Sequence, residues 1–369
     1  MSHDISHPRQ FIPKKVADQL RKFGLEAEHL KELHEGQKFA IREENWLNMY
    51  VPRNFGGLGL TLPDIIRREE GISWADGSSG WVVTLCSGAA WFVGFLAPVV
   101  ASEIFRSENV CFAGSGAING RANKTSKGYE IDGVWPFATG SLMATVFTVN
   151  CWVFESGNQL YGSDEKPLVK SFLLMAEEAT IHRTWNAMGM IATGSHSVEV
   201  RKVTVSENRS FIIDSKHAIL PDAIFSYPFQ QLAECTLTIN LSGMACRFLD
   251  LAEEKLHEKT NGFYAEIIAE KRLKLKIVRQ KFYQVTDTAW NSLTVTTRLS
   301  PESLNQVTGV SKELTECCAE VVADLYPFCG LDAADTHQEI NRVWRNFQTA
   351  IQHSIFRGFR MHSGTGSHR

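Results

Sequence analysis

The sequence WPFATG at residues 135–140 places two aromatic side chains and a hydroxyl group at the end of a predicted strand. A planar ring system binds between flat apolar walls with a few well-placed hydrogen-bond donors. Trp135 and Phe137 could form such a wall, and Thr139 could donate to a polar edge of the ring. Aromatic residues at a strand end can also fill a core, and each residue taken alone favours core packing.

A second candidate lies in the last predicted helix, at residues 338–357. An apolar stripe at helical spacing predicts a core seam along one side of this helix. The opposite side carries polar residues at helical spacing, namely Arg342, Asn346, Thr349 and His353. Spacing alone favours a solvated face, and a face lining a cavity between two domains is the alternative. In that case His353 is the useful residue, because imidazole exchanges a proton near neutral pH.

A glycine-rich segment, GSGAING at residues 114–120, is similar to a dinucleotide-binding loop. It follows a predicted strand, but the next segment predicts a turn and another strand in place of the helix that would face a pyrophosphate. No Gly-Lys-Ser/Thr loop occurs in the sequence, which argues against a nucleotide triphosphatase. Ser115, in the loop predicted to leave the first strand, stays a candidate polar contact.

The composition argues against several classes of protein. The formal net charge is -3, so nothing indicates a nucleic-acid partner. The 8 cysteines form no Cys-x-x-Cys pair, which argues against a metal site or a disulfide framework and favours a reducing cytoplasm. An uncharged stretch at residues 81–100 is as long as a membrane span, but its polar residues and Pro98 favour a buried helix. We therefore expect a cytoplasmic protein without a membrane or metal.

The periodicity of the sequence changes twice. Residues 1–108 have a helical pattern, including a helix predicted to begin after Thr61 with Asp64 as its capping partner. Residues 109–218 contain short runs rich in β-branched and aromatic residues, and residues 219–369 return to long helical segments. This order excludes a doubly wound parallel sheet, which needs alternating strands and helices. It predicts an α+β protein with a helical domain, a β domain and a helical bundle.

Five motifs then indicate a family. They are VPRNFGGLGL at 51–60, DGSSGWVVTL at 76–85, GYEIDGVWPFATG at 128–140, ATGSHSVEVRKVTV at 192–205 and RVWRNFQTAIQH at 342–353. In this order the motifs resemble those of the acyl-CoA dehydrogenase superfamily. Within that superfamily the chain resembles the group D flavin-dependent monooxygenases, which have the type 2 C-terminal domain.

The resemblance implies an architecture and an activity. The architecture is an N-terminal helical domain (1–108), a central antiparallel β-barrel domain (109–218) and a C-terminal four-helix bundle (219–369). The activity is that of an oxygenase component in a two-component monooxygenase. A separate flavin reductase would supply reduced FAD or FMN, oxygen would add at the flavin C4a atom, and a hydrophobic or aromatic small molecule would be oxygenated. The resemblance also implies a homotetramer, and the many apolar residues at 264–297 favour a subunit interface.

The same resemblance implies roles for individual residues. It places His353 over the reactive edge of the flavin as acid or base. The residues that it places near the flavin are Trp81, Ser115, Trp135, Phe137, Thr139, Gly140, Thr193 and Ser195. Two departures favour a less polar substrate or weaker flavin binding. Phenol-hydroxylating members often have a histidine about two turns after the tryptophan of the buried helix, a region that contains Ala89 in this chain. Ile191 replaces an arginine in the GMIATG segment.

Two other interpretations stay open. The segment DTHQEINR at 335–342 is similar to the pattern around the catalytic carboxylate of true acyl-CoA dehydrogenases. Asp335 could therefore be the base of a dehydrogenase with bound FAD, although its position suits a helix N-cap, which we favour. The third interpretation is a homologue that kept the fold and lost catalysis.

Overall fold

A computed structural model describes residues 5–257 and 262–361. The first part of the chain is helical, as the sequence predicts. Its helices are α1 (Lys14–Lys22), α2 (Gly24–Leu30), α3 (Glu35–Glu43), α4 (Leu62–Ala75), α5 (Gly77–Ala90) and α6 (Pro98–Ile104). The strands are β1 (Phe112–Thr125), β2 (Gly128–Ala138), β3 (Val146–Glu155), β4 (Asn158–Gln159), β5 (Val169–Met175), β6 (Thr180–His182), β7 (His196–Val205) and β8 (Ser210–Phe211). The last helices are α7 (Phe229–His257), α8 (Gly262–Thr296), α9 (Pro301–Leu325), α10 (Glu339–Ala350) and α11 (Ser354–Met361).

The helices α4 and α5 form the centre of the N-terminal region. The predicted cap of α4 is confirmed, since the Asp64 backbone N–H donates to Thr61 Oγ1 and the Thr61 hydroxyl donates to the Asp64 carboxylate. Asp76 separates the two helices and caps α5 by accepting from the Ser79 backbone N–H at 2.8 Å. The apolar stretch Gly77–Phe95 is long enough to cross a membrane, but 89% of it is buried inside the protein. It is thus packed as a core helix.

The sheet corrects the predicted antiparallel β-barrel. Its strand order is β6-β7-β2-β1-β3-β5-β8, an open path with β4 beside β3. Strands β1 and β2 form an antiparallel hairpin, but β3 pairs with β1 in parallel. The cause is the connection after β2. That connection carries the chain across to the free edge of β1, while the other edge of β2 is taken by β7. The sheet is therefore mixed.

The C-terminal helices pack on the N-terminal ones through buried ion pairs. Glu70 of α4 is fully buried and accepts hydrogen bonds from Arg279 and Tyr283 of α8 and from Ser242 of α7. The long helices α7, α8 and α9 pack along one another, and α10 lies against α7. Several basic residues of α8 form ion pairs within the chain, for example Lys271 with Asp324 at 2.6 Å.

The predicted helix at 338–357 is interrupted. At the end of α10 the backbone hydrogen bonds change from the α-helical to the 3-10 pattern. The N–H groups of Gln352 and His353 there donate to carbonyls three residues earlier. A new helix, α11, begins at Ser354. His353 therefore lies in a short break between two helices, where a side chain can point away from the regular helical faces.

Candidate active site

Three buried hydroxyl groups meet where the end of β2 approaches the turn before β7. Thr139 Oγ1 lies 2.8 Å from Ser195 Oγ, which lies 2.7 Å from Thr193 Oγ1. The Thr193 hydroxyl also donates to the Met190 carbonyl at 2.8 Å. The Gly140 backbone N–H donates to the Thr193 carbonyl at 2.9 Å and joins the two segments. We call Thr139, Thr193 and Ser195 the hydroxyl cluster.

Helix α5 packs against the segment that carries Thr139 and Gly140. The Cys86 thiol donates to the Thr139 carbonyl at 3.6 Å. Gly140 has a φ of +74°, and a Cβ at this position would lie 2.5 Å from Cys86 Sγ. The pKa of the Cys86 thiol is raised well above its usual value, first by its hydrogen bond with Cys111 and then by burial. The thiol is therefore neutral, and it packs against Gly140 and donates a hydrogen bond to the Thr139 carbonyl.

The two aromatic residues of the predicted wall point in different directions. Trp135 is 1% exposed, and its indole N–H donates to the Asn150 carbonyl at 2.9 Å. Phe137, two residues later, is 67% exposed. Residues i and i+2 of a regular strand share a face, but the φ of Phe137 is +63° and the pairing with β7 slips between Trp135 and Ala138. This local irregularity turns Phe137 outward and leaves Trp135 in the core.

Phe137 lies against a second aromatic ring that the sequence analysis missed. The rings of Phe137 and Trp185 are 6.2 Å apart and nearly perpendicular, at 83°. The Trp185 indole N–H donates to the Met190 carbonyl at 2.8 Å, which fixes the ring beside the hydroxyl cluster. A bulky residue with positive φ is a backbone outlier that concentrates at functional sites. The position of Trp185, just before the GMIATG segment, was the signal available in the sequence.

The side chain of His353 packs against the N-terminal part of α5. Its ring centroid is 5.8 Å from that of Trp81, with the planes at 68°. Burial, with a smaller effect of the Arg357 cation, lowers the pKa of His353 below its ordinary value. The imidazole is therefore neutral at neutral pH and can accept a proton.

One face of α5 is open although the rest of the helix is buried. This face carries Trp81, Leu85, Gly88 and Phe92, which follow one another at helical spacing. Leu85 and Gly88 are partly exposed, and a Cβ added to Gly88 would meet no atom within 4 Å. Phe229 lies 5.5 Å from Phe92 and is itself 39% exposed. We call this uncharged surface, with His353 at one end and Phe229 at the other, the α5 groove.

The polar face of α10 is buried, so the solvated face that spacing alone favoured is wrong. Arg342 and Asn346 are 7% and 1% exposed. Asn346 Oδ1 accepts from the Met190 backbone N–H at 2.6 Å. Gly189 fits against α10 so closely that a Cβ there would lie 2.0 Å from the Arg345 carbonyl oxygen. The helix that leads to His353 is thereby fixed to the loop that carries Thr193 and Ser195.

Comparison with known proteins gives one family model and several related sequences. The family model described as acyl-CoA dehydrogenase, C-terminal domain, matches residues 233–358. The indole-3-acetate monooxygenase of Acinetobacter baumannii is 25% identical over 316 residues, which cover 83% of this chain and 79% of that protein. The oxygenase component of the FADH(2)-dependent resorcinol hydroxylase of Rhizobium sp. is 24% identical over 195 residues, 53% of this chain and 46% of that protein.

Solved structures have the same fold. The 3-HSA hydroxylase from Rhodococcus sp. RHA1 superposes with a TM-score of 0.88 at 19% identity, covering 98% of this chain and 96% of that one. XiaF from Streptomyces sp., in complex with FADH2 and glycerol, gives 0.83 at 19% identity over 93% and 91% of the two chains. TdsC from Paenibacillus sp. A11-2, with FMN and indole, gives 0.78 at 17% identity over 96% of each.

The resemblance to the acyl-CoA dehydrogenase superfamily is confirmed. The similar proteins named above belong to its flavin-dependent monooxygenase branch, as the motifs implied, and a putative acyl-CoA dehydrogenase of Bacillus subtilis is 24% identical over 222 residues. Asp335, the alternative base suggested by the dehydrogenases of this superfamily, is exposed and accepts from the His337 backbone N–H at 2.9 Å. The predicted N-cap role is wrong, since Gln338 precedes α10 and Asp335 bonds within the turn before it. Asp335 and His353 lie beyond opposite ends of α10, whose 12 residues span about 18 Å.

The superfamily motifs bring together some of the predicted residues and not others. Thr139, Gly140, Thr193 and Ser195 form one cluster, and Trp81 meets His353. Trp135 belongs to the core of the sheet. Ser115 lies inside β1, where the pairing with β3 is irregular, and not in an exit loop as predicted. Its hydroxyl accepts from the Ala117 backbone N–H at 3.3 Å.

Among the described residues no group of His, Cys, Asp and Glu side chains is suited to hold a metal ion. All eight cysteines are buried. The hydroxyl cluster and His353 can support binding, orientation and proton transfer, which suits an organic cofactor that brings its own reactivity.

Proposed function

We propose that this chain is the oxygenase component of a two-component flavin-dependent monooxygenase. It would take reduced FAD or FMN from a separate reductase and oxygenate a hydrophobic or aromatic small molecule. The observation that carries the proposal is the hydroxyl cluster beside the outward-turned Phe137. The related sequences and the neighbours named with FADH2 or FMN support it. We further propose that the protein is a cytoplasmic homotetramer and that its C-terminal helices form a four-helix bundle. His353 would act as an acid or base.

The residues around the hydroxyl cluster fit a flavin ring. Phe137 and Trp185 offer flat apolar surface that no other side chain covers fully, since Phe137 is 67% exposed. A tricyclic ring needs such surface and a hydrogen-bonding group near its N5 atom. We assign Phe137 and Trp185 to the wall and Thr139 to the polar contact, with Gly140 keeping the loop close to α5.

The order of donors in the hydroxyl cluster determines what Thr139 offers. The only hydroxyl proton of Thr193 is used on the Met190 carbonyl. Ser195 must then donate to Thr193, and Thr139 must donate to Ser195, if both short contacts are hydrogen bonds. Thr139 Oγ1 is left as an acceptor. An acceptor complements the N5–H of a reduced flavin and not the bare N5 of an oxidised one, which revises our expectation that Thr139 donates.

The α5 groove would hold the substrate. The wall that α5 contributes is apolar and aromatic, and this favours a hydrophobic or aromatic molecule. Bound reduced flavin would supply the activation of dioxygen. His353, neutral and next to Trp81, would accept or return a proton at its imidazole nitrogen during the reaction.

An anaerobic titration tests the proposal. The protein should bind reduced flavin more tightly than oxidised flavin and should purify without colour. Ser195→Ala frees the Thr139 proton, so the ratio of the two dissociation constants should fall by about fivefold, the value of one neutral hydrogen bond near 1 kcal/mol. Ser141→Ala is the control, because its hydroxyl bonds the Gly194 carbonyl outside the cluster. A yellow protein that retains FAD and reduces it with an acyl-CoA would favour the dehydrogenase alternative.

A further inference from the structure

A group of buried polar side chains lies along the flank of α5 next to the α5 groove. Its centre is Glu69 of α4, which is 0% exposed. Neither carboxyl oxygen of Glu69 accepts a hydrogen bond of normal geometry, although the hydroxyls of Thr84 and Ser87 face it, and no described ion pair includes this residue. Its neighbour Glu70 is different, since Glu70 pairs with Arg279. An isolated carboxylate in the core would cost many kcal/mol, so this arrangement needs an explanation.

Other unpaired polar atoms surround the same space. The hydroxyl oxygens of Tyr50, Tyr227 and Ser311 and the amide oxygen of Asn240 are buried without a partner. All four residues are at most 1% exposed. Buried polar atoms without a partner are rare in proteins, and a concentration of them indicates a bound polar molecule. We call Tyr50, Glu69, Tyr227, Asn240 and Ser311 the polar chamber.

Electrostatic and hydrogen-bond links connect the chamber. The Asn240 amide donates to Thr84 Oγ1 at 3.2 Å, and the hydroxyls of Thr84 and Ser87 face Glu69 from α5. Tyr50 and Cys235 also face Glu69, and Cys235 in turn contacts Tyr227 and Ser311. Glu234 is the remaining acid near Cys235 and Tyr227. The chamber is thus bounded by α4, α5, α7 and α9, and these neighbours supply no cation to Glu69.

We propose that the polar chamber is a binding site for internal water, with Glu69 present as a neutral carboxylic acid. A neutral acid has one O–H donor and one carbonyl acceptor, and the phenol and serine hydroxyls can each donate and accept. Water has two donors and two acceptors, so it can satisfy an acid, an amide oxygen and a phenol together. Bound water would give these oxygens the partners that they lack. Burial also raises the pKa of Glu69 well above its ordinary value.

The chamber has a consequence for the candidate active site, and that consequence alone depends on the proposed function. Thr84 and Ser87 belong to the same two turns of α5 as Leu85 and Gly88. The bound water would therefore lie beside the turns of α5 whose partly exposed residues would contact the substrate. The chamber itself can be tested in protein without flavin or substrate.

The pH dependence of unfolding tests the state of Glu69. The folded pKa is raised, so the unfolded chain ionises first as the pH rises above about 4.3. The contribution of Glu69 to stability is then fully present in acid and falls as the pH rises toward the folded pKa of this residue. Between about pH 6 and 8 the wild type should take up one more proton on folding than Glu69→Gln, which is neutral at every pH. Equal proton uptake by the two proteins would overturn the proposal.

Two measurements on the wild type avoid dependence on the variant. Infrared spectroscopy at neutral pH should reveal a protonated carboxylic acid that persists while the exposed carboxylates are ionised. A high-resolution crystal structure should contain ordered water within hydrogen-bond distance of Glu69 and of Tyr50 or Tyr227. Either an ionised Glu69 or a dry chamber with direct hydrogen bonds between these side chains would overturn the proposal.

Discussion

Replacing Gly140 by alanine should damage the candidate active site in a way that a second glycine can calibrate. Gly140 has a φ of +74°, and a Cβ there would lie 2.5 Å from Cys86 Sγ. Gly157 has a similar φ of +83°, but a Cβ there would meet nothing within 4 Å. Both substitutions impose the same backbone strain, and only Gly140→Ala adds a collision with α5.

The expected sizes follow from these contacts. A left-handed conformation costs an alanine about 1–2 kcal/mol, which is the whole effect expected for Gly157→Ala. Overpacking a core site adds about 1–3 kcal/mol, so Gly140→Ala should cost about 2–5 kcal/mol in total. The collision should move the hydroxyl cluster, because Thr139 is the preceding residue. Reduced-flavin affinity should therefore fall in Gly140→Ala and stay unchanged in Gly157→Ala.

Urea unfolding of four proteins measures the collision separately from the strain. Cys86→Ala removes the sulfur, so Gly140→Ala in that background should cost only the strain, with a coupling energy of about 1–3 kcal/mol between the two sites. The reasoning is refuted if Gly140→Ala and Gly157→Ala destabilise the protein equally, or if the double-mutant cycle gives no coupling.

Three further predictions address the ring wall, the groove and the histidine. Phe137→Ala should weaken reduced-flavin binding with little loss of stability, because Phe137 is 67% exposed. Trp135→Ala should instead cost about 3–5 kcal/mol of stability, because Trp135 is a core residue. Reversed effects in calorimetry and flavin titration would contradict the assignment. Gly88→Leu should fill the α5 groove and raise KM for an aromatic substrate, while Gly309→Leu, on an open position of α9, should leave KM unchanged. The lowered pKa of His353 means that the unfolded state binds a proton first as the pH falls below about 6.5, so wild-type stability should fall in acid and His353→Gln should lack this part of the loss. His353→Gln should also remove the acid limb of the pH–rate profile, and an unchanged profile would exclude the histidine from proton transfer.

The sequence predicted those features that depend on local pattern. The change from helical to strand periodicity and back is a local property, and so is the cap formed by Thr61 and Asp64. The family motifs correctly brought Thr139 together with Thr193 and Ser195, although 54 residues separate Thr139 from Thr193. The short hydroxyl contacts need this close approach, and the glycine at 140 permits it.

Other features depended on geometry that the residue pattern does not encode. The parallel pairing of β3 with β1 results from a crossover, which has no local sequence signal. Phe137 faces outward because of one positive φ, whereas strand alternation places it beside Trp135. Asp335 was assigned to the helix cap because the helix was expected to begin earlier than Glu339. The polar face of α10 was expected to be solvated because spacing cannot reveal that a glycine, Gly189, lets another loop cover it.

The central claim is that this chain binds reduced flavin and activates oxygen on it. The most direct test is to mix the anaerobic complex of protein and reduced FAD or FMN with oxygenated buffer and follow flavin absorbance by stopped flow. We predict saturable binding of the reduced flavin and a transient flavin–oxygen adduct that outlives the one formed in buffer alone. Oxidation at the rate of free reduced flavin, with no transient and no detectable binding of the reduced form, would contradict the account.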